Sequence, residues 1–223
     1  MSRLQWDADG TRRFEMGVDH GVLYPISNGI YQAGIAWNGL TSVSASPEGG
    51  DSTDLWADNM KYGSMRGAEK FGGTIEAYQA PEEFKACDGR ATIAAGVTVG
   101  QQTRQAFGFC WRSKVGNDTS PEAGYIIHIA YGCTTSPSER TYETMNDSPD
   151  AGTLSWEFEA NTTPVHIGNQ QGATALVEID STQFNTDPLK AKLTEIENAL
   201  YGTENAEPGI LTPDEITAII TRT

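Results

Sequence analysis

Two glutamates on alternate positions, Glu157 and Glu159, are the first side chains in this sequence that could do chemistry. Glycoside hydrolysis uses two carboxyl groups facing a scissile bond. On an extended strand, residues two apart share a face and stand ~7 Å from each other. The run Leu154-Ser-Trp-Glu-Phe-Glu159 alternates apolar with polar side chains, however, which puts both acids on the solvated side of an amphipathic strand. His20, His128 and His166 are scattered without metal-ligand spacing. His128 falls opposite the apolar face of its strand, where a surface role or a satisfied hydrogen-bond partner is expected. No serine sits in a Gly-x-Ser-x-Gly elbow, and Gly168-Asn-Gln-Gln-Gly172 reads as a polar turn and not as a phosphate cradle. The sequence predicts no enzyme, no cofactor and no metal site.

The densest group of acids lies at Glu48, Asp51, Asp54 and Asp58, interleaved with Leu55, Trp56, Met60 and Tyr62. These aspartates do not alternate, and no glutamate closes a calcium-binding frame. Large apolar side chains among charges are costly in a lone solvated loop, so this stretch is expected to carry a contact meant for another molecule. Five Trp and eight Tyr raise an alternative, a carbohydrate-binding β-sandwich module that stacks sugars on exposed rings. Most of the rings fall on the apolar faces of strands, which favours packing.

Positioning these residues requires a mainly β chain. Trp37–Ser46 and Gly73–Gln79 alternate as two half-buried strands, and the long excursion at 47–66 separates them. Phe107, Phe109 and Trp111 share one strand face, as do Tyr125, Ile127, Ile129 and Tyr131. Ala175, Val177 and Ile179 mark the core side of a last strand, and turns are expected at Val115–Thr119 and Asn146–Pro149. Many short strands with such punctuation predict an antiparallel β-sandwich or barrel. Pro81–Cys87 predicts a short flanking helix that offers Phe84 and Cys87 to the sheet. Two C-terminal helices follow, one with Leu189, Leu193, Ile196 and Leu200 on a stripe, one opened by the capping box Thr212-Pro-Asp-Glu215. They could cover an open sheet face or dock on a neighbouring subunit. The expected organisation is an N-terminal arm over 1–20, one β domain over 21–182 and a helical extension over 183–223.

Composition narrows the function. The 223 residues carry a net charge of −15, which excludes nucleic-acid binding through clustered Lys and Arg. Acidity keeps a protein soluble, and it also suits a surface that must lie near DNA without adsorbing it. No apolar run approaches the ~20 residues of a membrane helix, and no secretory leader opens the chain, so a cytoplasmic home is expected. Cys87, Cys110 and Cys133 are odd in number and widely spaced, which predicts buried free thiols.

Several blocks, taken in order and spacing, resemble the major tail tube proteins of long-tailed, non-contractile bacteriophages. They are Gly21-Val-Leu-Tyr-Pro25, Ala36-Trp-Asn-Gly-Leu-Thr41, Asp54-Leu-Trp-Ala-Asp58 leading into Lys61-Tyr62, and Phe71-Gly-Gly-Thr-Ile-Glu-Ala-Tyr78. Gly100-Gln-Gln-Thr-Arg104, Gly116-Asn-Asp-Thr119, Tyr131-Gly-Cys-Thr134 and Ser148-Pro149 through Leu154-Ser-Trp-Glu-Phe158 continue the match. The resemblance implies a β-sandwich with a flanking helix that assembles as hexameric rings stacked into a tube. It implies that the loop at 47–66 reaches the adjacent ring through Asp51, Asp54, Leu55, Trp56, Asp58, Met60 and Tyr62. Disorder in the free subunit, with ordering on stacking, would suit that loop's composition. By polarity, Asn38, Ser42, Ser44, Thr74 and Glu76 are then the candidates to line the lumen. The implied partners are further copies of the chain, a tape-measure protein, the tail terminator and distal tail proteins, with double-stranded DNA passing through unbound.

Overall fold

The computed structural model describes residues 6–142, 144 and 151–222. The turn expected at Asn146–Pro149 lies outside them. β1 (Arg13–Ser27) is followed by the short β2 (Ile30–Tyr31) and β3 (Ile35–Trp37). Next come β4 (Leu40–Ala45), β5 (Glu48–Gly49), β6 (Ser52–Ala57), β7 (Met60–Arg66) and β8 (Glu69–Ala77). The helix α1 (Phe84–Cys87) precedes a small hairpin, β9 (Ala91–Ala94) and β10 (Val97–Val99). Two long strands, β11 (Phe107–Asn117) and β12 (Gly124–Thr135), lead to β13 (Leu154–Ala160). A hairpin of β14 (Thr163–Ile167) and β15 (Gln170–Thr174), then β16 (Leu176–Asp180), completes the strands ahead of α2 (Asp187–Tyr201) and α3 (Pro213–Thr221).

One layer of the sandwich has the order β3-β1-β11-β12-β16, and the other is β4-β8-β13. All the pairings are antiparallel. β12 belongs to both layers, because Thr134 and Thr135 pair with Glu159 and Phe158 of β13. The register slips by one residue between Phe109↔Ala130 and Phe107↔Cys133, and Gly132 there takes φ +55°. An extra residue in the left-handed region bends a strand and raises its twist, which carries the end of β12 across to the second layer.

Two cores result. Leu23, Trp37, Ile75, Phe84, Phe107, Phe109, Trp156 and Phe158 fill the space between the layers. Trp37 is the hub: its ring lies 4.4 Å from Phe84 and 5.5 Å from Trp156, and its indole N–H donates to the Gln79 carbonyl at 2.8 Å. The second core lies on the opposite face of the larger layer, where Val22, Tyr24, Ile127, Ile129 and Tyr131 meet Leu193, Ile196, Leu200 and Ile216. The C-terminal helices therefore cover their own sheet. Tyr24 donates its hydroxyl to the Leu200 carbonyl at 2.6 Å, which satisfies an acceptor in the last turn of α2. The capping box at Thr212 and Glu215 is formed, and the three cysteines are buried and free.

Two expectations need correction, and a third is narrowed. The supposed arm at 1–20 holds regular structure from Arg13 onward, since β1 pairs with β11 from Arg13↔Asn117. Two register shifts, between Met16, Asp19 and Val22, break the alternation that would have marked it as a strand. The stretch 47–66 is no irregular loop awaiting order, because β6 and β7 pair from Ser52↔Arg66 to Ala57↔Met60. Of the two roles expected for His128, a surface one and a satisfied hydrogen-bond partner, the structure has the second, with Ser113 and Glu178 as partners. Both faces of β12 are covered, one by helices and one by the opposite layer, so Ile126, His128 and Ala130 are buried as well.

Candidate assembly surfaces

Asp58 and Asn59 take φ +51° and +60°, the left-handed pair that a type I′ hairpin turn requires. The strands they join continue β4 and β8. Ser46 N–H donates to the Gly72 carbonyl at 2.8 Å, Glu48 pairs with Lys70, and Gly67 N–H donates to the Asp51 carbonyl at 3.0 Å. The result is a single antiparallel ribbon from Leu40↔Ala77 to the tip. Asp54 sits between Lys61 Nζ at 2.7 Å and Ser64 Oγ at 2.8 Å, and the hydrogen bond from Lys61, with a smaller one from Ser64, holds its carboxyl below the usual range. Trp56 and Tyr62 are 69% and 79% exposed, and Leu55, Met60 and Met65 are exposed beside them. Of the residues expected to make an outward contact, Asp51 lies at the root of this arm, and Asp54, Leu55, Trp56, Asp58, Met60 and Tyr62 lie along it.

The outer face of the smaller layer gathers most of the second set. Ser42 pairs with Glu76 and Ser44 with Thr74, and the Ser42 hydroxyl donates to Glu76 Oε2 at 2.7 Å. Asn38 is exposed just before this strand. On the other flank of β8, Ser155 opposes Glu76, Glu157 opposes Thr74 and Glu159 opposes Gly72. Glu157 and Glu159 thus share one polar, acidic face with Glu76. Along the chain these two acids stand out as a carboxylate pair; the pairing of β13 with β8, distant in sequence, is what brings them to this face.

A polar relay lies elsewhere, between the layers. Ser113 Oγ is 2.9 Å from His128 Nε2, and His128 Nδ1 is 3.1 Å from Glu178 Oε1. The residue types are those of a hydrolase triad. Ser113 nevertheless sits mid-strand between β1 and β12, not at a strand-to-helix turn that aims backbone N–H groups at a developing oxyanion. The His128 ring also stacks on Trp111, with centroids 5.0 Å apart and planes 10° from parallel. The relay is packing with its polar atoms satisfied.

Burial pushes the His128 imidazole below its ordinary value, against the opposing pull of Glu178 and Glu15. The unfolded chain therefore takes up this proton at a higher pH than the folded one. Folding stability is expected to be full above pH ~6.5 and to fall as pH drops below it. Burial pulls the Asp19 carboxyl up, yet hydrogen bonds from Arg112 and His20 outweigh it and hold the group low, so its loss belongs to more acid conditions. Denaturant titrations across the imidazole range should show the slope in the wild type and a flatter line in His128→Gln; identical slopes would discount the residue.

A search of curated proteins finds no match to this chain. Residues 31–200 match a family model described as phage tail tube protein. That span begins at the end of β2, takes in the whole ribbon, the smaller layer with its acidic face and the larger layer apart from β1, and ends in the last turn of α2. The chain belongs to the phage tail tube protein family, a structural component of the virion tail.

Proposed function

We propose that copies of this chain close into hexameric rings that stack into the tube of a long, non-contractile phage tail, the conduit for genome delivery. The observation that carries this reading is the ribbon, which projects aromatic and aliphatic side chains into solvent on a regular, hydrogen-bonded scaffold. Apolar side chains held outward in this way mark a binding surface. The free edge of β4 supports lateral closure, because an unpaired edge is a template for another strand.

In a closed ring the polar face of β4, β8 and β13 lines the lumen. With the end of β12 beside β13 as a fourth strand of each copy, six copies give ~24 strands at ~4.8 Å spacing, a circumference of about 115 Å and a diameter near 37 Å before tilt widens it. A duplex passes such a channel. Asn38, Ser42, Ser44, Thr74 and Glu76, joined by Glu157 and Glu159, present an amide, hydroxyls and carboxylates to it. Screening over ~8 Å at physiological salt confines the repulsion of phosphates to a layer near the wall, so DNA slides without adsorbing. A tape-measure protein occupies the lumen during assembly in the host cytoplasm, and a tail terminator and distal tail proteins close the two ends.

Electron microscopy of the concentrated protein tests the reading, with filaments that show an axial channel expected and persistent monomers counting against it. The lumen assignment has its own test. Glu76→Lys combined with Glu157→Lys is expected to leave tubes intact and slow genome ejection. Unchanged ejection would remove these residues from the lumen.

A further inference from the structure

Most arginines on this molecule have a carboxylate of their own. Arg12 pairs with Asp7, Arg13 with Asp180, Arg112 with Asp19 and Arg222 with Glu195, while Arg66 lies exposed on the ribbon. The turn after α1 departs from that pattern. Arg90 Nε and a terminal nitrogen of Arg140 both reach Oδ2 of a single carboxylate, Asp88, at 3.1 Å each. A third guanidinium, that of Arg104, packs over Gly89, the residue between Asp88 and Arg90. A Cβ added at Gly89 would lie 3.3 Å from the central carbon of that group. Gly89 also takes φ +68°, so the turn needs glycine for its backbone as well as for this approach. Arg104 makes no ion pair among the described residues, and its Nε is buried without a hydrogen-bond acceptor. Nearby acids do not supply one. Glu82 engages Lys85, and the exposed Glu83 and Glu139 pair with no arginine among the described residues.

A guanidinium keeps its proton at physiological pH and carries five N–H donors in a fixed fork. It cannot neutralise itself on burial, and a buried donor without an acceptor is costly. Three such groups against one carboxylate leave two positive charges in excess, on a chain of net charge −15. Beside the turn, Lys85, Asp88, Arg90, Arg140 and Trp156 line a cavity of about 140 Å³. That suits a small ion and falls short of the ~300 Å³ at which clefts take drug-sized ligands.

We infer that this turn is an oxyanion-binding site, in which the forks of Arg90, Arg104 and Arg140 take a phosphate or carboxylate group. Two sources carry that chemistry: dissolved phosphate, and a side-chain carboxylate on another copy of this chain. The site is a property of the single subunit and stands apart from the tube reading.

Melting curves of the dilute subunit test it, in sodium phosphate and in sodium chloride of equal ionic strength. Phosphate stabilises folded chains in general by exclusion from their surface, an effect that grows steadily with concentration. Binding at a site saturates instead, and at 100 times Kd it raises the Tm of a chain of this size by roughly 5–10 °C. A saturating rise is expected in the wild type and in Arg66→Gln, which removes the same charge from the ribbon. Arg104→Gln and Arg90→Gln, made separately and checked by circular dichroism, should each bind phosphate about tenfold more weakly or worse. A wild type without the saturating rise overturns the inference, as does either of these two variants melting like wild type across the series. Light scattering in chloride then separates the sources. Where a carboxylate of another copy fills the site, Arg104→Gln and added phosphate both raise the concentration at which copies assemble. An unmoved threshold, or a wild-type chain that stays monomeric, assigns the site to the dissolved ion.

Discussion

A variant lacking Ser52–Arg66, with Asp51 joined directly to Gly67, is expected to remain a folded monomer and lose tube formation. The Asp51 carbonyl already accepts the Gly67 N–H at 3.0 Å, so the new junction closes the ribbon where its strands already meet. It also creates an Asp-Gly pair, a preferred turn sequence between paired strands. The removed side chains are almost all exposed and none belongs to either core, so the change in folding stability should stay under about 1 kcal/mol. Assembly is another matter. Interface anchors of the Trp and Tyr type cost about 2 kcal/mol or more each when removed. Losing two raises the concentration needed for tubes by roughly a thousandfold. Light scattering against protein concentration reads this directly. Tubes at the wild-type threshold would show that the ribbon is not the stacking element.

Trp156→Ala should have the opposite profile. Its side chain is 1% exposed, with Trp37 at 5.5 Å and Phe84 at 5.2 Å. Emptying such a site costs about 3–5 kcal/mol from lost transfer energy and an unfilled cavity. For a chain of this size that corresponds to a Tm roughly 10 °C lower. Trp56→Ala removes an identical side chain from solvent and should leave Tm nearly unmoved while it weakens assembly. The two tryptophans separate folding from polymerisation, and equal losses of stability in both variants would contradict the description of the ribbon.

The residues that were legible in the sequence are those whose period matches one buried face. Phe107, Phe109 and Trp111 share a face of β11 as their spacing says, and all three pack between the layers. The α2 stripe holds over Leu193, Ile196 and Leu200, and the Thr212 cap is formed as its motif predicts. Failures occurred where burial did not alternate. The ribbon is exposed on both faces, so no contrast marks its strands, and Asp58-Asn59 is a weaker turn signal than a pair containing glycine. β12 is buried on both faces, which hides its second side, and bulges in β1 scramble its period. For the assembly surfaces, the acids of β13 gained meaning only through a partner strand about 80 residues away. Contacts to other copies follow no local pattern at all. The contact proposed for this chain shows in its sequence only as apolar rings with nothing of their own to cover.

The larger layer has a consequence for how the subunit comes apart. The same strands floor both cores: Val22 and Tyr24 point to the helices while Leu23 points to the opposite layer, and Cys110 lies between Phe109 and Trp111 in the same way. Stripping away the helices bares a sheet whose other side still depends on it, so neither half has a stable state without the other. Melting is accordingly expected as one all-or-none transition, with calorimetric and van't Hoff enthalpies equal. A particle built from such units would fail subunit by subunit, leaving no half-molten wall behind.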